Sequence, residues 1–165
     1  MTSGRSAVMG REGAGRGFTL EEGHPNCLAP GKRTMHTLNC FMALKDERPY
    51  LVGGTPGGDG QPQWNMQLVT NVIDYGLDVQ AAVEAPRWTS FPGTDTANAG
   101  FPLELRVEER VGEEVISRLR GKGHRVQVQG PWAAGGGAQL ILIDPATGVR
   151  HGGSDPRVDG SALGY

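Results

Sequence analysis

The segment Gly53-Gly54-Thr55-Pro56-Gly57-Gly58-Asp59-Gly60 constrains this chain more tightly than any other. It follows the apolar run Pro49-Tyr50-Leu51-Val52 and precedes residues 61–75, whose apolar positions recur with a helical period. A strand, a glycine turn and a helix start in that order gather backbone N–H groups that have no partner within the helix. Such a cluster binds anions or a developing oxyanion. A turn of purely structural purpose has the same composition, so both readings stay open at this level. It is not a P-loop, since no Gly-Lys-Ser/Thr follows, and it contains no GxGxxG.

The flanking segments supply a fold class. Residues 38–45 read as a strand buried on both faces, because Phe41, Met42, Ala43 and Leu44 form an almost continuous apolar run. The turn Asp46-Glu47-Arg48-Pro49 joins it to the return strand Tyr50-Leu51-Val52-Gly53. In the following helix Met66, Val69, Val72, Ile73 and Leu77 define the apolar face, and Gly76 supplies the stop. Asp78 caps a second, short helix that ends before Pro86. Residues 88–102 read as an exposed excursion. Strands follow at 103–107, 125–129, 139–144 and 149–152, with an amphipathic helix at 113–122. The order β-β-α-α-β-α-β-β-β predicts an α+β fold, a mixed and mostly antiparallel sheet with helices packed on it.

Several function classes are disfavoured. The chain has 165 residues, enough for one domain with its own core. A formal charge of −2 offers no basic excess to neutralise phosphates, so no nucleic-acid partner is expected. No apolar run approaches the ~18 residues that suggest a membrane helix, and no membrane partner is expected. The first ten residues lack an apolar core of the secretory type, and a cytoplasmic location is the expectation. Cys27 and Cys40 form no CxxC pair and read as buried free thiols, Cys40 inert within its strand. Neither a metal nor another cofactor is expected.

Candidate functional residues are few. His24, His36, His124 and His151 are scattered, with none paired at i, i+4. His36 and Thr37 differ from the rest because they follow the basic pair Lys32-Arg33 and open a strand, a place from which polar side chains can meet a substrate carboxylate. No GxSxG or HExxH occurs. Asp155-Pro156-Arg157 reads as a salt-bridged turn. Thr2 would become N-terminal on loss of Met1, a feature of every chain that begins Met-Thr.

Five motifs in one order carry a resemblance. They are Gly23-His24-Pro25-Asn26, Ala29-Pro30-Gly31-Lys32-Arg33, residues 54–63, Ala85-Pro86-Arg87-Trp88 and Gly153-Ser154-Asp155-Pro156-Arg157. Together they resemble the C-terminal part of the gamma-glutamyltransferase family. The resemblance covers residues 15–165 and leaves 1–14 as a non-matching N-terminus. It implies part of an N-terminal-nucleophile hydrolase, an αββα sandwich built from a large and a small subunit cut from one precursor. It implies acyl transfer or hydrolysis of gamma-glutamyl or related acyl amides, with an N-terminal threonine as nucleophile. Gly57 and Gly58 match the family's oxyanion hole, and His36 and Thr37 match the hydroxyl pair that binds the substrate's carboxylate.

The departures from the family are specific. Residues 17–20 follow Thr2 too closely for Thr2 to be the nucleophile, so the nucleophile is expected to come from a missing upstream part. Arg16 and Gly17 stand near the place of the acidic residue that holds the glutamyl amine in classical members. His36-Thr37 in place of two serines resembles the acylase-like branch. Asn39-Cys40 stands where that branch carries a proline. The chain is expected to be an inactive fragment by itself. The alternative expectation is a non-catalytic module that assembles with a separately encoded large-subunit homologue.

Overall fold

The computed structural model describes residues 22–24, 27, 29–33, 36–93 and 100–164. The readings placed on Thr2, Arg16, Gly17 and residues 1–14 fall outside these residues. The elements run β1 (Phe41–Lys45), β2 (Arg48–Gly54), α1 (Gln61–Ile73), α2 (Val79–Glu84), β3 (Trp88–Phe91), β4 (Glu104–Glu108), α3 (Glu113–Gly121), β5 (Val126–Gln129), β6 (Gln139–Ile143) and β7 (Arg150–Ser154). The fold is α+β, as the order of segments predicts. Among the described residues it holds two sheets: a four-stranded antiparallel one ordered β1-β2-β6-β7, and a three-stranded one ordered β3-β4-β5. In the smaller sheet β4 pairs with β3 antiparallel and with β5 parallel, α3 making the crossover.

Local chemistry sets most boundaries. The β1–β2 turn contains only Asp46 and Glu47, with φ of 50° and 60°, and Lys45 pairs with Arg48. Two central residues with positive φ give the turn whose twist matches a hairpin. Gly76 adopts φ 68° beyond the end of α1. Asp78 accepts a hydrogen bond from the Ala81 N–H at 2.9 Å, the expected N-cap of α2.

The main core lies between the larger sheet and the helices α1 and α2. Leu51, Leu140 and Ala138 meet Leu68, Val72, Val79, Ala82 and Val83 there. Each large side chain so buried stabilises the fold by about 1.5–3 kcal/mol relative to exposure. The buried face of α1 is not the one the periodicity suggests. Trp64, Leu68 and Val72 face inward together with Gln61, Asn65 and Gln67, while Met66 and Ile73 are exposed. The period is correct and the phase is shifted, because five amides on this helix point toward neighbouring main chain rather than water.

Three further expectations need correction. Strand β1 is not buried on both faces: Phe41 and Ala43 turn toward the core, whereas Met42 and Leu44 are exposed. With β2 and β6 they form an outer apolar face, in the register Met42–Val52–Ile141. Residues 88–91 form a strand rather than an excursion. Cys40 precedes β1 and is exposed, and Cys27 is half-buried, so neither is the buried thiol expected.

A buried ion cluster joins the two sheets. Glu108 ends β4 and Asp155 follows β7; they are 0% and 1% exposed. Arg157 grips Glu108 through Nε at 2.8 Å and Nη2 at 2.6 Å, and reaches Asp155 Oδ1 through Nη1 at 3.0 Å. Arg87 pairs with Asp155 Oδ2. The N–H groups of Arg87 and Ala134 donate to Glu108, and that of Ala138 donates to Asp155. Asp155-Pro156-Arg157 is thus a salt-bridged turn. Burial pushes both carboxyl groups upward. For Glu108 the bonds from Arg157 and from the Arg87 and Ala134 N–H groups outweigh it; for Asp155 the bonds from the Ala138 and Arg157 N–H groups and the charges of Arg87 and Arg157 do so. Both carboxyls are held below the usual carboxylate range.

Groups whose folded-state pKa is depressed contribute stability that is complete above the unfolded value, about 4, and lost as pH falls through the folded value. Urea midpoints should therefore be level near neutrality and fall on acidification. Glu108→Gln should cost about 3 kcal/mol at neutral pH and flatten that acid limb. Stability that rises toward acid would contradict this account.

Candidate functional site

The glycine turn lies between the end of β2 and the start of α1. A 3-10 turn at Gly58–Gly60 leads into the helix, with the Gly60 N–H bonded to Gly57 O at 3.0 Å. Gly57 has φ 137° and Gly58 has φ 53°, conformations that glycine adopts at little cost. Among the described residues, neither the Gly57 N–H nor the Gly58 N–H has a hydrogen-bond partner. They lie at the N-terminal end of a 13-residue helix. That combination suits negative charge.

The turn keeps its shape because Trp64 fills the space behind it. A Cβ on Gly57 would lie 2.1 Å from the indole, one on Gly60 2.4 Å, one on Gly135 2.5 Å and one on Gly136 2.9 Å. Four glycines from two loops thus enclose one ring, which is 6% exposed. Its Nε1–H donates to Thr89 Oγ1 at 2.8 Å on β3. Thr55 joins the same two loops: its hydroxyl donates to Pro56 O at 3.0 Å and accepts from the Gly137 N–H at 2.9 Å. No motif in the sequence alone marks the Trp64 ring or Gly135–137 as part of a site. The signal available was a second glycine run placed just before a strand, as the first run is placed just after one.

His36 and Thr37 lie in the exposed segment that precedes β1. They do not open a buried strand, because β1 starts at Phe41. The segment is nevertheless tied to the turn. Gln61, the first residue of α1, donates from Nε2 to Thr37 O at 2.9 Å and accepts at Oε1 from the Asn39 N–H at 3.2 Å. A Cβ on Gly54 would lie 3.1 Å from Cys40 Cα, so the two stretches also touch at the end of β2. The four candidate residues thus belong to two adjoining stretches, with Gly57 and Gly58 behind a helix start and His36 and Thr37 on its flank.

Other features lie apart from this arrangement. A groove of about 800 Å³ between α3 and the smaller sheet is lined by Leu103, Leu105, Val115 and Leu119, and the glycine turn takes no part in it. Among the described residues no three His, Cys, Asp or Glu side chains gather as metal ligands. No helix there is long and apolar enough to cross a membrane.

The two glycines of the turn should respond differently to substitution. Gly57→Ala meets both the indole and an unfavourable φ, and should cost roughly 2–5 kcal/mol. At Gly58 nothing lies within 4 Å of a new Cβ. Gly58→Ala should therefore cost only the left-handed conformation, about 1–2 kcal/mol. Chemical denaturation of the two variants checks the difference, and equal losses would refute the cage.

Comparison with known proteins identifies relatives of the whole chain. The sequence profile described as Gamma-glutamyltranspeptidase matches residues 9–165. The chain is 38% identical over 165 residues to the glutathione hydrolase-like YwrD proenzyme of Bacillus subtilis (strain 168), covering 99% of this chain and 30% of that protein. It is 36% identical over 151 residues to the oxamate amidohydrolase proenzyme of Klebsiella pneumoniae, covering 92% of this chain and 28% of that protein. Among solved structures, cephalosporin acylase from Bacillus halodurans superposes with a TM-score of 0.69 at 38% identity, over 92% of this chain and 27% of that one. The chain thus spans about 30% of the length of the relatives it matches. Its profile match, its relatives and its α+β architecture agree, and the chain belongs to the gamma-glutamyltranspeptidase family.

Proposed function

We propose that this chain forms the oxyanion and carboxylate half of an acyl-transfer site acting on gamma-glutamyl or related acyl amides. The observation that carries the reading is the pair of unpartnered N–H groups at Gly57 and Gly58, held at a helix N-terminus by the Trp64 cage. Two donors so placed would receive the negative oxygen of a tetrahedral intermediate. A preorganised donor of this kind lowers the barrier by about 3 kcal/mol. His36 and Thr37, on the flank of the same helix start, would bind the carboxylate of the acyl chain. The Thr37 hydroxyl supplies a donor, and the His36 imidazole supplies an N–H.

The nucleophile in this reading is an N-terminal threonine outside these 165 residues. Its amine would take the hydroxyl proton, the hydroxyl would attack the amide carbon, and the amine leaving group would depart. Water or an amine would then release the acyl group. The relatives named above include a glutathione hydrolase-like protein, an oxamate amidohydrolase and a cephalosporin acylase. Their common bond is an amide, while the acyl groups differ, so amide cleavage carries over to this chain more firmly than any one acyl group.

A second reading is supported by the outer face of the larger sheet. Met42, Leu44 and Ile141 are 58%, 60% and 42% exposed on the side away from α1 and α2. An apolar sheet face of this kind suits a partner layer. We propose the large-subunit portion of the family as that partner, either from the same precursor or separately encoded.

The purified 165-residue chain should give no release from a chromogenic gamma-glutamyl anilide above the blank. Robust turnover by the chain alone would overturn the proposed division of labour. Co-expression with a large-subunit homologue should yield a stable complex under the second reading, whereas a monomer that melts cooperatively and ignores such a partner would count against it.

A further inference from the structure

The side chain of Gln61 is buried, and both ends of its amide are committed to main chain: Nε2–H to Thr37 O at 2.9 Å, and Oε1 to the Asn39 N–H at 3.2 Å. Two bonds to residues two apart are what a neighbouring β-strand would offer an extended segment. One helical turn further on, Asn65 Nδ2 donates to Asn39 O. Asn39 is therefore held at both its N–H and its C=O by α1. Asn65 is 7% exposed, and its Oδ1 is the one buried side-chain polar atom among the described residues that lacks a hydrogen-bond partner.

We infer that Gln61, supported by Asn65, is a positioning residue that sets the spacing between the glycine turn and the His36–Thr37 pair. The inference rests on the reading of those two stretches as one site for a small dicarboxylic acyl group. Gln61 follows the 3-10 turn Gly58–Gly60 without an intervening residue. A single rigid helix start thus holds the N–H donors by its backbone and residues 37–39 by its first side chain. A change in the length or hydrogen bonding of that side chain alters the distance between the two binding elements while leaving each element intact.

The helix carries its own matched control. Gln63 accepts from the Ser90 N–H at 2.7 Å and donates to Ser90 O at 3.2 Å, the same pair of bonds made to β3. Loss of Gln63 removes as many bonds from α1 as loss of Gln61, on the flank away from residues 37–39.

The test uses the 165-residue chain, 15N-labelled, as wild type and as Gln61→Ala, Gln61→Glu and Gln63→Ala. Amide exchange at Asn39 and titration with glutarate and with L-glutamate are followed by NMR. Gln61→Ala should speed Asn39 exchange at least tenfold and weaken binding at least fivefold. Gln61→Glu retains an acceptor for the Asn39 N–H and loses the donor to Thr37 O, so it should keep Asn39 protected while still weakening binding; it also serves if the alanine variant does not fold. Gln63→Ala should speed exchange at Ser90 and leave binding within twofold. Unchanged Asn39 exchange in Gln61→Ala would overturn the inference, as would an equal loss of binding in Gln63→Ala. If wild type binds neither dicarboxylate, the carboxylate reading of His36 and Thr37 falls, and the clasp is decided by Asn39 exchange alone.

Discussion

The indole of Trp64 is the contact on which the site depends. A loop with two consecutive positive-φ glycines is conformationally expensive, since glycine loses more freedom on folding than any other residue. Trp64 offsets that cost by giving four glycines from two separate loops one rigid surface to pack against. Any side chain at those positions would strike the ring, so the glycines serve backbone approach as well as φ. This accounts for part of the 27 glycines in the chain and for their clustering beside apolar segments. It also places the N–H groups of Gly57 and Gly58 without requiring a ligand to shape them.

Around that centre the chain relies on polar groups directed at main chain. Gln63 and Gln67 each satisfy both the N–H and the C=O of one β3 residue, Ser90 and Trp88 respectively. These are the edge groups of β3 that β4 does not use, so helix side chains complete a strand edge that would otherwise invite pairing with another chain. The Glu108–Arg157–Asp155–Arg87 cluster does comparable work between the sheets. Ion pairs this deeply buried rarely add net stability over apolar packing. Their bidentate geometry instead fixes one relative placement of β4, β7 and the end of α2, and Arg87 carries that placement to Gly135 O at 3.4 Å, beside the indole.

What could be read from the sequence was the chemistry that acts locally. Gly76, Asp78 and Pro86 mark their boundaries because a positive φ, an N-cap and a missing N–H act within a few residues. The glycine turn was legible as a place, since strand, turn and helix start are contiguous. Strand β3 was not, because the groups that complete its edge come from a helix some 25 positions away, and four residues hold too little pattern to stand out. The phase of α1 is hidden for the same reason: a glutamine facing inward toward main chain looks like one facing water until its partner is known. The link from Gln61 to residues 37–39 was beyond reach for want of any local signal.

Strand β1 differs from its sequence pattern for another reason. Its continuous apolar run matches the pattern of a strand covered on both faces, yet one face, with Met42 and Leu44, is open. Hydrophobic patterning records every surface a strand has to cover, including any covered by another segment or chain. Leaving that face in water forgoes the roughly 1.5–3 kcal/mol that burial of each large apolar side chain contributes. The same register row continues into Val52 of β2 and Ile141 of β6, so the feature belongs to the sheet and not to one strand. The chain covers 30% of the length of the Bacillus subtilis relative, and a sheet with helices on one side and bare apolar residues on the other is what one share of a layered sandwich would present. The helix-covered face orders the glycine turn, and the bare face is the one the proposed partner layer would cover.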